Sequence, residues 1–210
     1  MRRTQEQRSR ETREKLLQAT IEVLLESGYA GLTTAQVDAR AGVSSGARVH
    51  HYPTKADLVI AATRMAYDRA TELCQRRADV ARRSVEPIRH FVEDCHSIYF
   101  DWPFIAALEV VIAARTDPAL MKKIHPVLNQ FHATMKATWM SALVDAGYDK
   151  VEAEVTLRLT LNMMRGMAMN NIWENNKAEY NRLIEIWCGR LRDDTVAKRA
   201  RARADTGRSR

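Results

Sequence analysis

The residues best suited to chemistry are hydroxyl, imidazole and cationic side chains concentrated in one stretch, residues 33–55. Such groups donate hydrogen bonds to phosphate oxygens and to base edges, which is the chemistry of nucleic-acid binding. The candidates for such contacts are Thr33, Thr34, Ser44, Ser45, Gly46, Ala47, Arg48, His50, His51 and Lys55.

Capping residues predict the first of two short helices that would carry these side chains. Thr33 can cap a helix over residues 34–41, because Gln36 three positions later completes a T-x-x-Q capping box. Gly42 should end that helix, since glycine readily takes the left-handed conformation that closes a helix. The stretch therefore begins with a short helix and a tight turn.

A second short helix is predicted directly after the turn. Ser44 can cap it, and it should run over about residues 45–52 because Pro53 disfavours helical backbone at the residue before it. A long helix over about residues 55–81 follows. Helix, glycine-containing turn and helix make the helix-turn-helix signature, in which the second helix enters the DNA major groove.

The residues of this motif make it more specific. It resembles the TetR family of bacterial transcription regulators through Thr33, Val37, Ala41-Gly42-Val43-Ser44, Gly46, His50-His51-Tyr52 and Lys55, preceded by Gly28. The resemblance is at motif level over residues 12–60 and only architectural elsewhere. It implies an all-α fold with an N-terminal three-helix helix-turn-helix DNA-binding domain and a C-terminal helical ligand-binding and dimerisation domain. It also implies a phosphate contact from Lys55.

Two positions depart from the family pattern. Many members carry an apolar residue followed by Tyr where this chain has Arg48 and Val49. Because Val49 and Tyr52 are three residues apart, they can share the buried face, so Arg48 is expected to point outward. There it could pair with guanine O6 and N7 or only neutralise a phosphate, and the sequence leaves both open. His50 and His51 could likewise contact phosphate or bases.

The charge distribution supports a division of the chain into segments. The 210 residues carry a formal net charge of +7, of which residues 1–55 contribute +3 and residues 195–210 contribute +5. A basic DNA-binding end on a near-neutral body is typical of a nucleic-acid binder with a separate sensing domain. The basic C-terminus either contacts DNA or only favours solubility. The expected segments are a flexible basic arm (1–11), the DNA-binding domain (12–60), the ligand-binding and dimerisation domain (61–194) and a basic, disordered tail (195–210).

No motif for catalysis or for a cofactor is found. The sequence lacks G-x-G-x-x-G, P-loop, H-E-x-x-H and G-x-S-x-G patterns, so neither an enzyme nor a cofactor is predicted. A metal site is not predicted either, because the histidines at 90, 96, 125 and 132 have no tight ligand spacing.

The cysteines and the hydropathy pattern bear on the compartment. Cys74, Cys95 and Cys188 are widely spaced and form no disulfide framework, so we expect reduced thiols in a cytoplasmic protein. No run of about 18 apolar residues exists, so no membrane span is predicted.

Helical spacing predicts helices nearly throughout. The first is expected over residues 12–27, and Pro126 should break or kink a segment ahead of a longer helix over residues 127–146. Residues 150–175 are apolar on more than one face, so that helix needs two partners. We expect it to pair with a second subunit together with the last helix, residues 177–192, in a homodimer. Burial of both faces within one chain remains the alternative.

A small-molecule site is expected in the second domain. Large or adaptable apolar side chains recur there on consecutive helices, accompanied by polar groups that would be costly to bury unpaired. They form an ordinary core, or they line a pocket, as the family resemblance implies. An inward-pointing Arg165 would favour an anionic or carbonyl-bearing apolar ligand. The predicted lining residues are Phe91, Tyr99, Trp102, Phe104, Phe131, Trp139, Asn162, Met163, Arg165 and Met167.

Together these patterns predict a ligand-responsive, dimeric DNA-binding regulator. The expected partners are a pseudo-palindromic double-stranded DNA operator, a second copy of the chain and a small apolar or aromatic effector that releases a repressor from DNA. An activator or a regulator without an effector is the alternative. A helical small-molecule-binding protein or enzyme without DNA function is a remote one.

Overall fold

The computed structural model describes the backbone of residues 4–208 and the side chains of residues 4–193. Over these residues the chain is all-helical and no strand is found, which confirms the predicted all-α fold class. The helices are α1 (Gln5–Gly31), α2 (Thr34–Ala41), α3 (Ser45–His51), α4 (Lys55–Ala81), α5 (Pro87–Tyr99), α6 (Trp102–Ala114), α7 (Pro118–Asp145), α8 (Lys150–Glu174) and α9 (Lys177–Arg208).

The capping signals set several of these boundaries as predicted. α2 and α4 cover the expected residues, and α3 ends at His51, one residue short of the expected end. In α1 the backbone leaves helical geometry at Gly28 (φ 64°, ψ 175°), where the sequence predicts the end, and one further turn follows. The turn is stabilised from α6, because Glu109 Oε2 accepts a hydrogen bond from the Tyr29 backbone N–H at 3.1 Å.

The flexible arm over residues 1–11 was wrong for most of its length. α1 begins at Gln5, because Thr4 and Gln7 form a capping box in which each side chain bonds the other's backbone N–H. No Gly or Pro interrupts the sequence from there to Gly28. Residues 1–3 lie outside the described part of the chain.

The predicted break at Pro126 and the predicted disordered tail were not found either, whereas the alternative of a kink at Pro126 stays a prediction. α7 continues through Pro126, which lies on an exposed face, while its neighbours Ile124 and Val127 are buried. A proline removes only one hydrogen bond, and burial on either side of it can hold the helix together. α9 runs to Arg208, so the tail predicted to be disordered from residue 195 is helical to that point. Its alanines and basic residues are good helix formers. Residues 209–210 lie outside the described part.

The chain divides into two compact units. The first contains Met1–Glu72 and Asp101–Thr134, and in it α1 packs against α2 and α6 around Leu16, Leu24 and Val37. The predicted boundary near residue 60 does not coincide with this grouping, because α4 and α7 contribute to both units. The functional division at that boundary stays a prediction.

The second unit contains Leu73–Phe100 and Met135–Arg210. In it α5 packs against α8 and α9. Phe91 and Trp139 meet at its centre, with ring centroids 5.2 Å apart. Trp187 ties α9 to α8, since its Nε1–H donates to Thr160 Oγ1 at 2.9 Å. No single described helix is both long and apolar enough to cross a membrane. The bent pair of α5 and α6 meets both conditions, length and apolar composition, only when the two helices are taken together.

Candidate nucleic-acid interface

The helix-turn-helix forms as its capping residues predict. The Gln36 backbone N–H donates to Thr33 Oγ1 at 3.3 Å, and Gln36 Oε1 accepts from the Thr33 backbone N–H at 2.9 Å. Gly42 takes the left-handed conformation (φ 63°, ψ 37°), and the following N–H returns to the Asp38 carbonyl at 3.0 Å. Ser44 Oγ then caps α3 by accepting from the Ala47 N–H at 3.3 Å. The turn is thus fixed by local hydrogen bonds.

Arg48 does not point outward, which corrects the expectation from spacing. Its Nε donates to Asp38 Oδ1 at 3.0 Å and to Oδ2 at 3.2 Å, and the two side chains are only 7% and 12% exposed. Its Nη1 donates to the carbonyls of Tyr52 at 3.1 Å and Pro53 at 3.3 Å, and its Nη2 donates to Ser45 Oγ at 3.1 Å. The guanidinium therefore joins α3 to α2 and to the turn after α3.

The physical reason for the error lies outside the short helix. A seven-residue helix has too few turns for spacing alone to identify its buried face. The signal that could have found the pair is Asp38, an acid that follows Val37 on α2 and that spacing places near the inner face. A buried carboxylate requires a partner, and Arg48 supplies it.

The other nine residues predicted to contact DNA are all at least partly accessible to solvent. Thr33, Ser44, Ser45, Gly46 and His50 are exposed, and Thr34, Ala47, His51 and Lys55 are half-buried. Sequence reasoning missed Val49, which it placed on the buried face. Its side chain is 47% exposed on the outer side of α3. Whether these residues touch DNA stays a prediction.

Two basic side chains of this region, Lys55 and His51, have lowered pKa values. Lys55 Nζ lies 3.5 Å from the Ala30 carbonyl oxygen and 4.5 Å from the centroid of the Tyr29 ring, and burial lowers its pKa. Burial also lowers the pKa of His51, with further contributions from the charges of His50 and Arg13. The positive charge of Arg13 on α1 thus acts on His51 of α3 and favours its neutral imidazole.

The segment that carries α2 and α3 matches a known protein family. The sequence model described as "Bacterial regulatory proteins, tetR family" matches residues 16–62. HTH-type transcriptional regulator CymR of Pseudomonas putida is 35% identical over 182 residues, which cover 87% of this chain and 90% of that protein. The chain belongs to the TetR family. It is therefore a DNA-binding transcriptional regulator. Membership of this family also confirms the prediction that the protein is not an enzyme.

Other relatives agree with this assignment. HTH-type transcriptional repressor AcnR of Corynebacterium glutamicum is 31% identical over 114 residues, which cover 53% of this chain and 55% of that protein. A transcriptional regulator of known structure from Rhodococcus sp. is 25% identical, with a TM-score of 0.66 over 84% of this chain and 94% of that one. The fold of that regulator therefore covers most of this chain.

The predicted ligand-contacting residues are divided between the two units. Trp102, Phe104 and Phe131 belong to the first unit, where Phe131 stacks on Tyr67 with centroids 4.2 Å apart. In the second unit Phe91, Tyr99 and Trp139 are buried as core, Met163, Arg165 and Met167 are half-buried, and Asn162 is exposed. A single pocket lined by all ten residues stays a prediction.

One part of the set does come together in the second unit. Arg165 Nη2 donates to the Tyr99 hydroxyl at 3.0 Å, and its guanidinium lies 5.4 Å from the centroid of that ring. Arg165 Nη1 donates to Asn162 Oδ1 at 3.2 Å. Burial raises the pKa of Tyr99, so the phenol stays protonated. Arg165 thus reaches from the edge of α8 toward the core.

A buried polar cluster near these residues was missed by sequence reasoning. Asp94 is fully buried on α5, where Oδ2 accepts from Trp139 Nε1 at 2.8 Å and Oδ1 accepts from Arg77 Nη1 at 3.1 Å. Burial raises the pKa of Asp94 and that of the neighbouring Cys74 thiol. No local motif marks this cluster, since its members come from α4, α5 and α7.

A separate cavity of about 300 Å³ lies in the second unit. Its lining includes Pro87, Arg89, Tyr148 and Cys188. None of these residues was predicted as a ligand contact. No group of three or more His, Cys, Asp or Glu side chains that could hold a metal ion is found among the described residues.

Proposed function

We propose that this TetR-family regulator is a homodimeric repressor that a small apolar or aromatic effector releases from a pseudo-palindromic operator. The observation that carries the proposal is the exposed outer face of α3. This helix packs against α2 within the segment that matches the family. In helix-turn-helix dimers the two recognition helices lie about 34 Å apart and enter successive major grooves. The regulator would act in the cytoplasm, where a bacterial chromosome is accessible to it.

An exposed apolar face on α8 supports the homodimer. Val151, Val155, Leu159 and Trp173 recur at helical spacing, and at least half of each side chain is exposed in the single chain. Exposed apolar side chains that share one helix face are typical of a protein–protein interface. Ile186 on α9 is also exposed. The last two helices would thus form the contact with a second copy.

The Arg165 site supports an effector that carries an anionic or carbonyl group. A half-buried guanidinium beside a buried phenol offers a charged anchor next to the core of the second unit. An effector that binds better to the conformation unable to engage the operator would lower DNA affinity by no more than its preference for that conformation.

Selection from a random duplex library tests the DNA-binding part of the proposal. Enrichment of an inverted repeat, with an affinity that falls steeply as salt rises, is the expected result for a dimer that contacts several phosphates on each half-site. Recovery of a single half-site without symmetry would contradict the dimeric operator. Recovery of no sequence, even after the protein is unfolded, stripped of bound small molecules and refolded, would contradict operator binding itself.

The selected operator then serves as the probe for the effector. Aromatic and aliphatic carboxylates are tested for release of the protein from DNA, each beside its neutral amide. We expect a carboxylate to release wild-type protein and to lose this effect in Arg165→Met. Arg89→Met, which alters the separate cavity of about 300 Å³, is the matched control and should respond as wild type does. Loss of response in Arg89→Met alone would move the effector site to that cavity.

A further inference from the structure

Val49 is the apolar side chain that α3 presents on its outer face. We propose that Val49 reads the C5-methyl group of a thymine in each operator half-site, and that the Asp38–Arg48 ion pair is the positioning unit that turns Val49 toward DNA. The proposal rests on the operator binding proposed above. It goes further by naming the base and the side chain that recognises it.

The ion pair removes Arg48 from base recognition. Arginine has five N–H donors, and a guanine pair needs two of them on one side of the guanidinium. The bonds to Asp38, Tyr52, Pro53 and Ser45 occupy Nε and both N–H groups of Nη1, together with one of Nη2. At most one donor is left, and the side chain is 7% exposed. A bidentate contact to guanine would require the pair to break.

The same pair fixes the direction of Val49. Successive residues on a helix point about 100° apart, so an inward Arg48 turns the next side chain toward solvent. Ser45 and Gly46 lie one turn earlier on the side of α3 that carries Val49. A Cβ added at Gly46 would meet nothing within 4 Å. This glycine therefore leaves room for a base edge to approach the valine.

The chemistry of the side chain selects the base. Valine has no hydrogen-bonding group, so it can recognise only an apolar feature of the major groove. The C5-methyl group of thymine is that feature, and cytosine and uracil lack it. An exposed valine beside a glycine is therefore expected to favour thymine at one position of each half-site.

Replacement of thymine by uracil tests the contact because it removes only the methyl group. Each thymine of the selected operator is replaced symmetrically, and affinities are measured at one salt concentration for wild type, Val49→Ala and Val80→Ala. At one position per half-site we expect wild-type affinity to fall about tenfold, from a reduction of three- to fourfold for each methyl group in the two half-sites. Val80 is an exposed valine on α4, so its variant should behave as wild type does.

The two variants separate the possible results. Equal affinity of Val49→Ala for the thymine and uracil operators, with discrimination retained in Val80→Ala, supports the contact. A wild-type protein insensitive to every replacement, or a Val49→Ala that discriminates as wild type does, overturns it while operator binding stands. Absence of any specific operator would overturn the regulator function together with this proposal.

Arg48→Lys tests the positioning role. Lysine keeps the charge but lacks the planar fork that bonds Asp38 and the two carbonyls together. We expect a protein that is folded by circular dichroism, still binds duplex DNA and has a thymine-to-uracil affinity ratio near one. A folded Arg48→Lys that retains the wild-type ratio would overturn the positioning role and leave the pair a stabilising contact only. If this variant does not fold, Val49→Ala still decides the thymine contact, because it changes an exposed side chain.

Discussion

The two compact units each bury an aspartate, and they do so by different means. Asp38 in the first unit faces an arginine that is itself buried, whereas Asp94 in the second unit accepts from a buried tryptophan and from Arg77, whose side chain is 36% exposed. The exposed surfaces of the two units also differ. The first unit exposes hydroxyl and imidazole groups along α3, and the second exposes an apolar face along α8.

The difference follows from how much apolar surface each region can bury. α2 and α3 have only eight and seven residues, so they offer few apolar side chains to one another. The ion pair and its additional hydrogen bonds add a directional contact between these two short helices. The long helices of the second unit supply a large core, in which a single carboxylate can be held by neutral and charged donors together.

The largest expected effect comes from breaking the buried pair of the first unit. Arg48→Met leaves Asp38 buried without its partner, which should lower the free energy of unfolding by about 3–5 kcal/mol. Arg40→Met is the matched control, because Arg40 makes an exposed ion pair with Glu26 at 2.5 Å and its removal should change stability far less. Urea denaturation at one protein concentration measures both. Equal destabilisation of the two variants would contradict the contrast between a buried and an exposed ion pair.

A charge on the apolar face of the second unit should have the next largest effect. Leu159→Glu would place an unpaired carboxylate in the proposed dimer contact, so we expect the dimer dissociation constant to rise at least about a hundredfold, or about 3 kcal/mol. Val80→Glu changes a similarly exposed residue on α4 and should remain dimeric. Sedimentation equilibrium measures both. A Leu159→Glu variant with wild-type mass would place the dimer contact elsewhere.

The buried carboxylate of the second unit should give stability a pH dependence. The pKa of Asp94 is raised above its ordinary value of 3.8. The stability that the protonated carboxyl contributes is therefore fully present below pH 3.8 and is lost as pH rises through the raised pKa. Asp94→Asn cannot ionise, so the stability of wild type relative to this variant should decline from about pH 4 upward. Thermal denaturation across this range measures the decline.

Trp139→Phe serves as the control for that pH dependence. It removes the hydrogen bond to Asp94 but keeps the ionisable carboxyl, so the variant should be less stable than wild type yet retain its pH dependence. If the difference in stability between wild type and Asp94→Asn stays constant with pH, the hydrogen bonds to the carboxylate compensate for its burial.

The smallest expected effect concerns the polar surface of the first unit. If Lys55 binds a phosphate, Lys55→Met should weaken operator and random duplex alike by several-fold, and the salt slope should fall by about one for each phosphate that is no longer neutralised. Lys177→Met, an exposed lysine at the start of α9, should leave both values unchanged. An unchanged slope in Lys55→Met would assign Lys55 to its contacts with Ala30 and Tyr29 alone.

Much of the fold could be predicted because its signals are local. Thr33 with Gln36, Gly42 and Ser44 act on backbone groups within four residues, so the bounds of α2 and the start of α3 follow from neighbours in sequence. The errors arose where a distant contact outweighed a local rule. Pro126 did not break α7, since buried side chains on both sides of it hold one continuous helix.

The candidate site divides along the same line. The amino-acid sequence determined the helical class, the helix-turn-helix and the family, since capping, spacing and motif residues act within one or two turns of helix. Only the tertiary structure decided which side of α3 faces outward, because the partner of Arg48 lies ten residues away on another helix. It likewise decided that Arg165 reaches Tyr99 and that Trp139 bonds Asp94. Contacts between distant elements depend on how helices pack, and side-chain periodicity within one helix does not specify its neighbour.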